Sequence, residues 1–491
     1  MSSPKQCRVA LTLPEFKGFR SGGENLGIAY IEAALRESTL AEVQLVNRTG
    51  DLENAAIAQS IRAFSPDIVG IGLPSNHLLP SFRQLAQEIR QNTPCTIVGG
   101  GHYTSFRPRE ILQSSPHVDV LVVGEGEQAI VDLVKCHADS TPLSSVVGVT
   151  LRDPSTGACI QTPPRPKIQN LDDLPLPTRD PGLDVYNISA SRGCYTTCSF
   201  CSVPQFNRLQ PGKSFRLRSP DSISKEVAML KGLGAKAISF VDDVFLLPGD
   251  KGLERARAIA DIMASNNMKW AFGCRTPDLT EEIVAYCRPR GLCNIGIGIE
   301  SAVPEILARF SKRAGLEHSR RAIDICRKYD VSIMPYFIMF EPDMTIADVT
   351  QNITFMSGYG LLWPSFASNS LDPYPGTSSF DWLEREGRIT ERDSSFVPKF
   401  MDPKVEELIA HVLQPLSEAQ ECEFALRKKE FQADLLDGTE GTRRRESVRR
   451  ALGKLSSVTA TFLLNAIGGN YNAETVLLEP ASALLAEVGG P

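Results

Sequence analysis

Short apolar, β-branched runs alternate with stretches of helical periodicity over the first 135 residues of the chain. Five of these runs have the length and composition of strands, and they read CRVALTL, AEVQLVN, DIVGIGL, CTIVGG and VDVLVVG. The stretches between them, such as NLGIAYIEAALRES and SFRQLAQEIRQN, place apolar residues at helical spacing. Alternating strands and helices predict a parallel sheet covered on both faces. We therefore expect an α/β domain of flavodoxin-like type over residues 1–139.

The same alternation resumes over residues 185–390 and predicts a second parallel α/β domain. Its six strand candidates read VYNISAS, AISFVDDV, KWAFGCRT, NIGIGIES, SIMPYFIMFEP and SFASNSLDPYPG. Residues 140–184 are rich in proline and poor in periodicity, which favours an extended linker between the domains. Residues 391–491 carry long helical patterns and predict a mainly α-helical C-terminal domain.

Composition and charge restrict the partners and the location of the protein. The formal net charge is −6, from 52 basic and 58 acidic residues, which argues against a nucleic-acid partner. No apolar run approaches the roughly 20 residues of a membrane helix. The 12 cysteines are dispersed, and the first residues, MSSPKQCRV, do not resemble a secretory signal. We expect a cytoplasmic protein without membrane partners, and we interpret the arginine-rich residues 443–450 as a solvated helix face.

Glycines collect where the predicted strands of the first domain end. The loop after the fourth strand reads GGGHYTS, and the loop after the fifth reads GEGEQ. Ligands of such sheets bind outside the carboxyl ends of the strands. Glycine at those ends lets the backbone approach a ligand closely, although each loop alone is also consistent with an ordinary tight turn.

Three cysteines, Cys194, Cys198 and Cys201, stand at CxxxCxxC spacing in the segment SRGCYTTCSFC. Thiolates ligate iron–sulfur clusters, and a cluster of four irons usually takes four of them. The next cysteine is Cys274 and the next histidine is His318, so the segment can hold three irons and leave one open. An open metal position is typical of catalytic sites. Structural zinc fits less well because it needs four ligands, and a disulfide framework fits less well because the other cysteines are dispersed.

The cysteine segment resembles the cluster-binding loop of the radical S-adenosylmethionine (radical SAM) superfamily, including Phe200 before the third cysteine. The two glycine loops resemble those of the cobalamin-binding, class B members of that superfamily. The resemblance implies three cofactors, which are a 4Fe–4S cluster held by the three cysteines, S-adenosylmethionine (SAM) and cobalamin. It also implies that the second domain is a partial (β/α)6 TIM barrel with its active site at the carboxyl ends of the strands.

The same resemblance places the corrin against three loops of the first domain. The residues it assigns to cobalamin are Pro74, Ser75, Asn76, His77, Gly99, Gly100, Gly101, His102, Gly124, Glu125 and Gly126. Many cobalamin-binding domains supply a histidine to cobalt from a DxHxxG motif after the first strand. Residues 13–25, LPEFKGFRSGGEN, contain no histidine, so we expect cobalt to lack that ligand, with His77 as the alternative.

Five residues near the strand ends of the second domain have the chemistry that SAM requires. The ribose diol needs hydrogen-bond acceptors, the carboxylate needs a cation, and adenine needs an apolar surface. The candidates are Phe200, Asp242, Asp243, Arg275 and Glu300. The segment VDDV departs from the glycine-glycine-glutamate turn usual in the superfamily, and salt bridges across the barrel explain Arg275 and the two aspartates equally well.

The resemblance implies a cobalamin-dependent methyltransferase that acts on an unactivated carbon of a small-molecule or peptide natural product. In that class one SAM yields a 5'-deoxyadenosyl radical, and methylcobalamin donates the methyl group. An electron donor such as flavodoxin or ferredoxin is then required. The alternatives are a cobalamin-dependent oxidative cyclase or rearrangement enzyme and, more distantly, a non-catalytic iron–sulfur protein with a regulatory role.

Overall fold

A computed structural model describes residues 6–16, 24–153, 155–392, 395–436 and 438–488. Residues 17–23 of the loop expected to lack a cobalt ligand lie outside these ranges. No helix in the described ranges has the length and apolar character needed to cross a membrane.

The first domain is built on five parallel strands in the order β2-β1-β3-β4-β5, which confirms the flavodoxin-like prediction. The strands are β1 Cys7–Thr12, β2 Ala41–Asn47, β3 Ile68–Gly72, β4 Thr96–Gly100 and β5 Val120–Val122. The helices are α1 Leu26–Ser38, α2 Asn54–Phe64, α3 Leu79–Asn92, α4 Pro108–Gln113 and α5 Glu127–Asp139. One apolar core joins the sheet to α1 and α5, and another joins its opposite face to α2, α3 and α4.

The segment predicted as a linker contributes two further strands to this sheet. β6 Val149–Arg152 pairs antiparallel with β5, and β7 Cys159–Gln161 pairs antiparallel with β6. The turn between them is closed by the amide of Gly157, which donates to the carbonyl of Asp153 at 2.8 Å, and Gly157 has the positive φ of 71° that such turns favour. The prediction of a wholly extended linker is therefore wrong at its start, because this short hairpin extends the sheet.

The second domain contains five parallel strands in the order β14-β13-β12-β11-β8. Its strands are β8 Val185–Ile188, β9 Ser191–Arg192, β10 Arg216–Leu217, β11 Ala237–Phe240, β12 Lys269–Arg275, β13 Leu292–Glu300 and β14 Ser332–Phe337, of which β9 and β10 form a separate antiparallel ribbon. Its helices are α6 Ser202–Phe206, α7 Pro220–Gly232, α8 Asp250–Ser265, α9 Glu281–Cys287, α10 Pro304–Arg309, α11 Leu316–Lys328 and α12 Ile346–Gly358.

The sixth strand predicted for the barrel is reduced to one parallel bridge between Phe340 and Ser370. Its first residues belong instead to α13 Pro364–Ala367. Pro373 and Pro375 follow, and proline cannot donate a hydrogen bond to a neighbouring strand. The prediction of a sixth full strand is wrong for this reason.

The C-terminal region is mainly helical, as predicted, and it packs directly against the barrel. Its elements are α14 Ser378–Arg385, the hairpin β15 Ile389–Arg392 and β16 Ser395–Pro398, α15 Pro403–Asp434, α16 Gly438–Ile467, a π-helical turn Glu474–Leu478 and α17 Glu479–Glu487. One apolar core runs without interruption from Tyr186 on β8 to Leu484 on α17.

The arginines at residues 443–450 are not all solvated, which corrects that interpretation. Arg445 donates to Asp434 at 2.9 Å and to Asp330 at 2.8 Å, and Arg449 donates to Glu430 at 2.7 Å. Glu430 and Asp434 are buried on α15. These ion pairs attach α16 to α15 and to the turn before β14.

A buried arginine connects the two domains. Arg179 lies at the end of the linker, its side chain is 1% exposed, and it forms ion pairs with Glu24 of the first domain and Glu226 of α7. Both carboxylates are also buried. Removing one partner of a buried ion pair leaves an uncompensated charge, which costs more than the pair contributes.

Replacing Arg179 with methionine should therefore destabilise the protein by about 3–5 kcal/mol. Burial already raises the pKa of Glu24 against the opposing effect of Arg179. Loss of the arginine raises that pKa further, so the loss of stability should be smaller at acidic than at neutral pH. Urea unfolding of the cofactor-free protein, followed by circular dichroism, measures both effects.

Lys236 is the matched control because its ion pair with Asp184, at 2.9 Å, is exposed at both side chains. Lys236→Met should change the stability by less than about 1 kcal/mol. Equal effects of the two substitutions would show that Arg179 does not link the domains in this way.

Candidate cofactor sites

A cavity of about 450 Å³ lies between the carboxyl edge of the first sheet and the cysteine segment of the second domain. Of the residues predicted to bind cobalamin, those that line it are Pro74, Gly99, Gly100, Gly101, His102, Gly124, Glu125 and Gly126. From the second domain, Arg192, Gly193 and Asp243 line the same cavity. The two domains therefore enclose one space.

Glycines keep the floor of this cavity free of side chains. A Cβ atom added to Gly72 would lie 2.6 Å from the side chain of Leu13, which also lines the cavity. At Gly100 the nearest atom would be the Val122 Cβ at 3.9 Å, so a side chain there would extend into the cavity. The lining is thus mainly apolar and leaves room at the glycines, which suits the edge of a large macrocycle such as a corrin.

His77 does not line the cavity, and neither do Ser75 and Asn76. Its exposed ring hydrogen-bonds through Nδ1 to the Ser395 hydroxyl at 3.2 Å, and its Nε2 lies 3.7 Å from Asp372. The nearby Asp372 carboxylate raises the pKa of His77. We do not propose His77 as a cobalt ligand, because its ring is held at the surface by the C-terminal half of the chain.

His102 joins the first domain to the cysteine segment. Its Nε2 lies 2.8 Å from the hydroxyl of Ser202, the residue that follows Cys201. Its ring stacks on Phe206 of α6 at a centroid distance of 4.6 Å. Burial lowers the pKa of His102 to about 4, so the ring is neutral near pH 7. Ser202 and Phe206 were missed from the sequence because a serine and a phenylalanine carry no signal of a contact across domains.

The three cysteines lie in one loop between β9 and α6. Thr196 Oγ1 is 3.1 Å from Cys194 Sγ and 3.8 Å from Cys198 Sγ. Burial, together with the neighbouring Cys198, Asp243 and Cys194, raises the pKa of Cys201 to about 12. Thiols in such surroundings lose their protons when a metal binds. The loop could therefore hold three irons of a cluster while leaving the fourth without a protein ligand.

The two aspartates that follow β11 have different surroundings. Asp242 is buried and accepts hydrogen bonds from the Ser191 hydroxyl and from the Ala190 amide, and burial raises its pKa to about 7. Asp243 lines the cavity, accepts from the Gly193 amide at 3.0 Å, and also has a pKa raised by burial. The structure thus directs Asp243 toward the cavity and gives Asp242 a supporting role in the backbone before the cysteines.

Glu300, at the end of β13, has a φ of 66°, which is uncommon for a residue with a side chain. Its carboxylate accepts a hydrogen bond from Lys312 Nζ at 2.5 Å. Arg275 donates to the Lys312 carbonyl at 2.7 Å. The charges of Lys312, Glu300 and Arg275 all act on the Cys198 thiol, which places them beside the cysteine loop. The buried Lys312 was missed because it belongs to no motif.

Phe200 and Tyr195 complete the surroundings of the cysteine loop. The Phe200 ring lies 4.7 Å from the Phe310 ring, and the amide of the neighbouring Ser199 donates to the Phe310 carbonyl at 2.9 Å. The Tyr195 hydroxyl donates to Asp278 at 2.5 Å, and its ring lies 5.7 Å from the Arg275 guanidinium. These aromatic rings and charges could contact a nucleoside and an amino-acid group.

Comparisons with known proteins agree with this arrangement. The family model of the B12 binding domain matches residues 19–134, and that of the Radical SAM superfamily matches residues 188–356. An uncharacterized methyltransferase of Pyrococcus horikoshii is 29% identical over 373 residues, covering 73% of this chain and 78% of that protein. An anaerobic magnesium-protoporphyrin IX monomethyl ester cyclase of Cereibacter sphaeroides is 26% identical over 422 residues, covering 79% of this chain and 66% of that protein.

A solved structure shows the same fold along almost the whole chain. It is that of OxsB, a cobalamin-dependent S-adenosylmethionine radical enzyme with aqua-cobalamin and S-adenosylmethionine bound. The likeness has a TM-score of 0.68 at 17% identity and covers 98% of this chain and 79% of that one. The match to the Radical SAM superfamily and the similarity to a methyltransferase argue against the non-catalytic alternative.

The cofactors that accompany the two matched domains are cobalamin, SAM and a 4Fe–4S cluster. The cavity and the cysteine loop lie in the matched domains and have the chemistry that these groups require. The chain is a radical SAM enzyme with an N-terminal B12-binding domain, and it belongs to the cobalamin-binding, class B radical SAM family.

Proposed function

We propose that this enzyme is a cobalamin-dependent radical SAM C-methyltransferase that acts on an unactivated carbon of a small-molecule or peptide natural product. The observation that supports it is the shared cavity, whose walls include the glycine loops of the first domain and Gly193 and Asp243 beside the cysteines. Groups held in these two walls approach one space, as a reaction at a single carbon requires. The similarity to a methyltransferase of Pyrococcus horikoshii supports the reaction class.

In this proposal Cys194, Cys198 and Cys201 hold the cluster, and the glycine loops hold cobalamin. When bound, the cluster with SAM supplies a carbon-centred radical, and cobalamin supplies the methyl group. The residues that would contact cobalamin are Pro74, Gly99, Gly100, Gly101, His102, Gly124 and Gly126. The glycines would keep side chains away from the corrin.

The residues proposed to hold SAM are those beside the cysteine loop. Arg275 and Lys312 supply cations for the methionyl carboxylate, and Glu300 supplies acceptors for the ribose hydroxyls. Phe200 offers an apolar ring near the adenine. Asp243 fixes the Gly193 amide and so orients the backbone that leads into Cys194.

An oxidative cyclase is the second candidate, because the cyclase relative from Cereibacter sphaeroides matches 79% of this chain. Both functions need an electron, and we propose that a small soluble redox protein such as flavodoxin or ferredoxin donates it. Their common cofactors explain why the site geometry supports both. The two candidates differ in one step, because only the methyltransferase transfers the methyl group of SAM.

The function is tested with SAM that carries a trideuterated methyl group. The reconstituted enzyme, kept free of oxygen and supplied with reduced cobalamin, should transfer the labelled methyl group from SAM to the corrin. Mass spectrometry of the extracted corrin measures the label. With a substrate, each methyl transfer then adds one labelled methyl group to the product. An enzyme that turns over SAM but never labels the corrin or a product would instead be a cyclase or rearrangement enzyme.

Cys198→Ala should abolish cluster binding and the formation of 5'-deoxyadenosine while cobalamin binding is largely retained, because Cys198 is not among the residues that line the cavity. Iron and sulfide analysis, corrin absorbance and chromatography of the nucleoside measure the three quantities. The buried Cys326 on α11 is the matched control, and Cys326→Ala should keep the cluster. Unchanged nucleoside formation in Cys198→Ala would remove the basis of the assignment.

Gly100→Leu should weaken cobalamin binding by about tenfold or more, which corresponds to about 1.4 kcal/mol, because the new side chain enters the cavity. Equilibrium binding of hydroxocobalamin measures the change, and the iron content should stay at the level of the unmodified enzyme. Gly232→Leu is the control, since a Cβ atom at this position would meet nothing within 4 Å. Normal cobalamin affinity in Gly100→Leu would show that the corrin lies elsewhere.

A further inference from the structure

Glu125 was expected to contact cobalamin, but its carboxylate is fully engaged with protein groups. Both oxygens accept from Arg216, at 2.6 and 3.0 Å, and one of them lies 3.3 Å from Arg192. The Ile168 amide donates to the other oxygen at 3.3 Å. The Glu125 side chain is 9% exposed and that of Arg216 is 2% exposed. A buried carboxylate with these donors has little capacity left for a ligand.

Arg192 and Arg216 stand directly opposite each other on the β9–β10 ribbon. Like charges at opposed positions of an antiparallel pair destabilise it. The Glu125 carboxylate contacts both guanidinium groups, and together with Glu127 on Arg192 it balances their two positive charges. Burial alone would raise the pKa of Glu125, but the hydrogen bonds and charges of Arg216 and Arg192 outweigh it and hold the pKa below its usual range.

This ribbon is the base of the segment that carries the cysteines. Cys194 follows Arg192 by two residues, and the chain returns to the ribbon at Arg216 after the last cysteine and α6. An anion that holds both strands of the ribbon therefore fixes the base of the whole loop. Glu127, two residues after Glu125, adds a second contact by accepting from Arg192 at 2.6 Å.

The neighbouring backbone brings the same glycine loop against the cysteine segment. The Glu125 amide donates to Gln210 Oε1 at 2.8 Å. A Cβ atom at Gly124 would lie 2.1 Å from the Gln210 side chain, and Gly124 has a positive φ of 86°, so only glycine permits this approach. On the far side of the loop, His102 contacts Ser202. The two glycine loops thus hold the cysteine segment at both of its ends.

We propose that Glu125 is a positioning residue, which fixes the cysteine segment relative to the glycine loops and so sets the separation and orientation of the cluster and the corrin. The Glu125 carboxylate contacts Arg192 and Arg216, so Glu125 affects the reaction only through the position of these two arginines. The inference rests on the cofactor placement proposed above but not on methyl transfer.

The test uses the full-length enzyme reconstituted with cluster and cobalamin. Cob(II)alamin and the reduced cluster each carry unpaired electrons, and the magnetic interaction between them falls steeply with distance. In Glu125→Gln the Arg216 guanidinium loses its carboxylate partner and Arg192 keeps only Glu127, so no anion bridges the two arginines. The interaction seen by electron paramagnetic resonance should therefore shift or be lost. Iron and corrin contents should remain those of the unmodified enzyme.

Glu423→Gln is the matched control, because Glu423 is a fully buried carboxylate that pairs with Arg427 at 3.2 Å on α15. Its spectrum should equal that of the unmodified enzyme. In the double variant Glu125→Gln with Arg192→Gln, one guanidinium is gone, and the interaction should return at least in part. A purely destabilising effect of the first substitution would not be relieved by the second.

An unchanged magnetic interaction in Glu125→Gln would overturn the proposal. Loss of corrin alone from that variant would also overturn it, because it would make Glu125 a direct cobalamin contact. If the unmodified enzyme bound neither the cluster nor cobalamin under the same conditions, the result would instead contradict the proposed sites of these two cofactors. If Glu125→Gln does not fold, the decision rests on Arg192→Gln, whose side chain is partly exposed. That variant should shift the interaction, and no shift would overturn the proposal.

Discussion

The carboxyl edges of two parallel sheets face each other across one cavity, and the chemistry of the enzyme depends on this arrangement. Ligands of parallel sheets bind at the carboxyl ends of the strands, so cofactors held by the two domains can approach one another only if these edges are opposed. The contacts that enforce it are largely polar and buried. Arg179 pairs with a carboxylate from each domain, and the arginines of the cysteine ribbon pair with the glycine loop. In any other relative position of the domains these buried charges would lack their partners, which is costly. The ion pairs therefore favour one position of the domains over others.

The periodicity of the chain was sufficient to predict most strands, the flavodoxin-like order and the helical C-terminal region, because these follow from local alternation. Periodicity did not predict the short hairpin of β6 and β7, because it lies in a proline-rich segment. It also predicted a full sixth strand where prolines leave only a single bridge. Spacing was also sufficient for the cysteines, since their positions in one loop are fixed by a few bonds.

Side-chain partners across the domain interface were beyond such reasoning. The partner of Glu125 is 91 residues away on β10, and nothing in GEGEQ distinguishes an acid that meets an arginine from one that meets a ligand. Lys312 likewise belongs to no motif, yet it lies buried beside Glu300. The arginines of α16 looked solvated because their acidic partners lie in other elements. Long-range electrostatic pairing depends on tertiary placement, which composition does not encode.

The single apolar core that runs from β8 to α17 has a consequence for how this architecture can vary. The barrel and the C-terminal helices bury the same interface, so neither has a complete interior when separated from the other. The first domain, in contrast, has two cores of its own. An exchange of modules between homologous enzymes would therefore cut the chain ahead of β8 and transplant the barrel together with its helices, whereas a cut after α14 would expose apolar surface on both fragments.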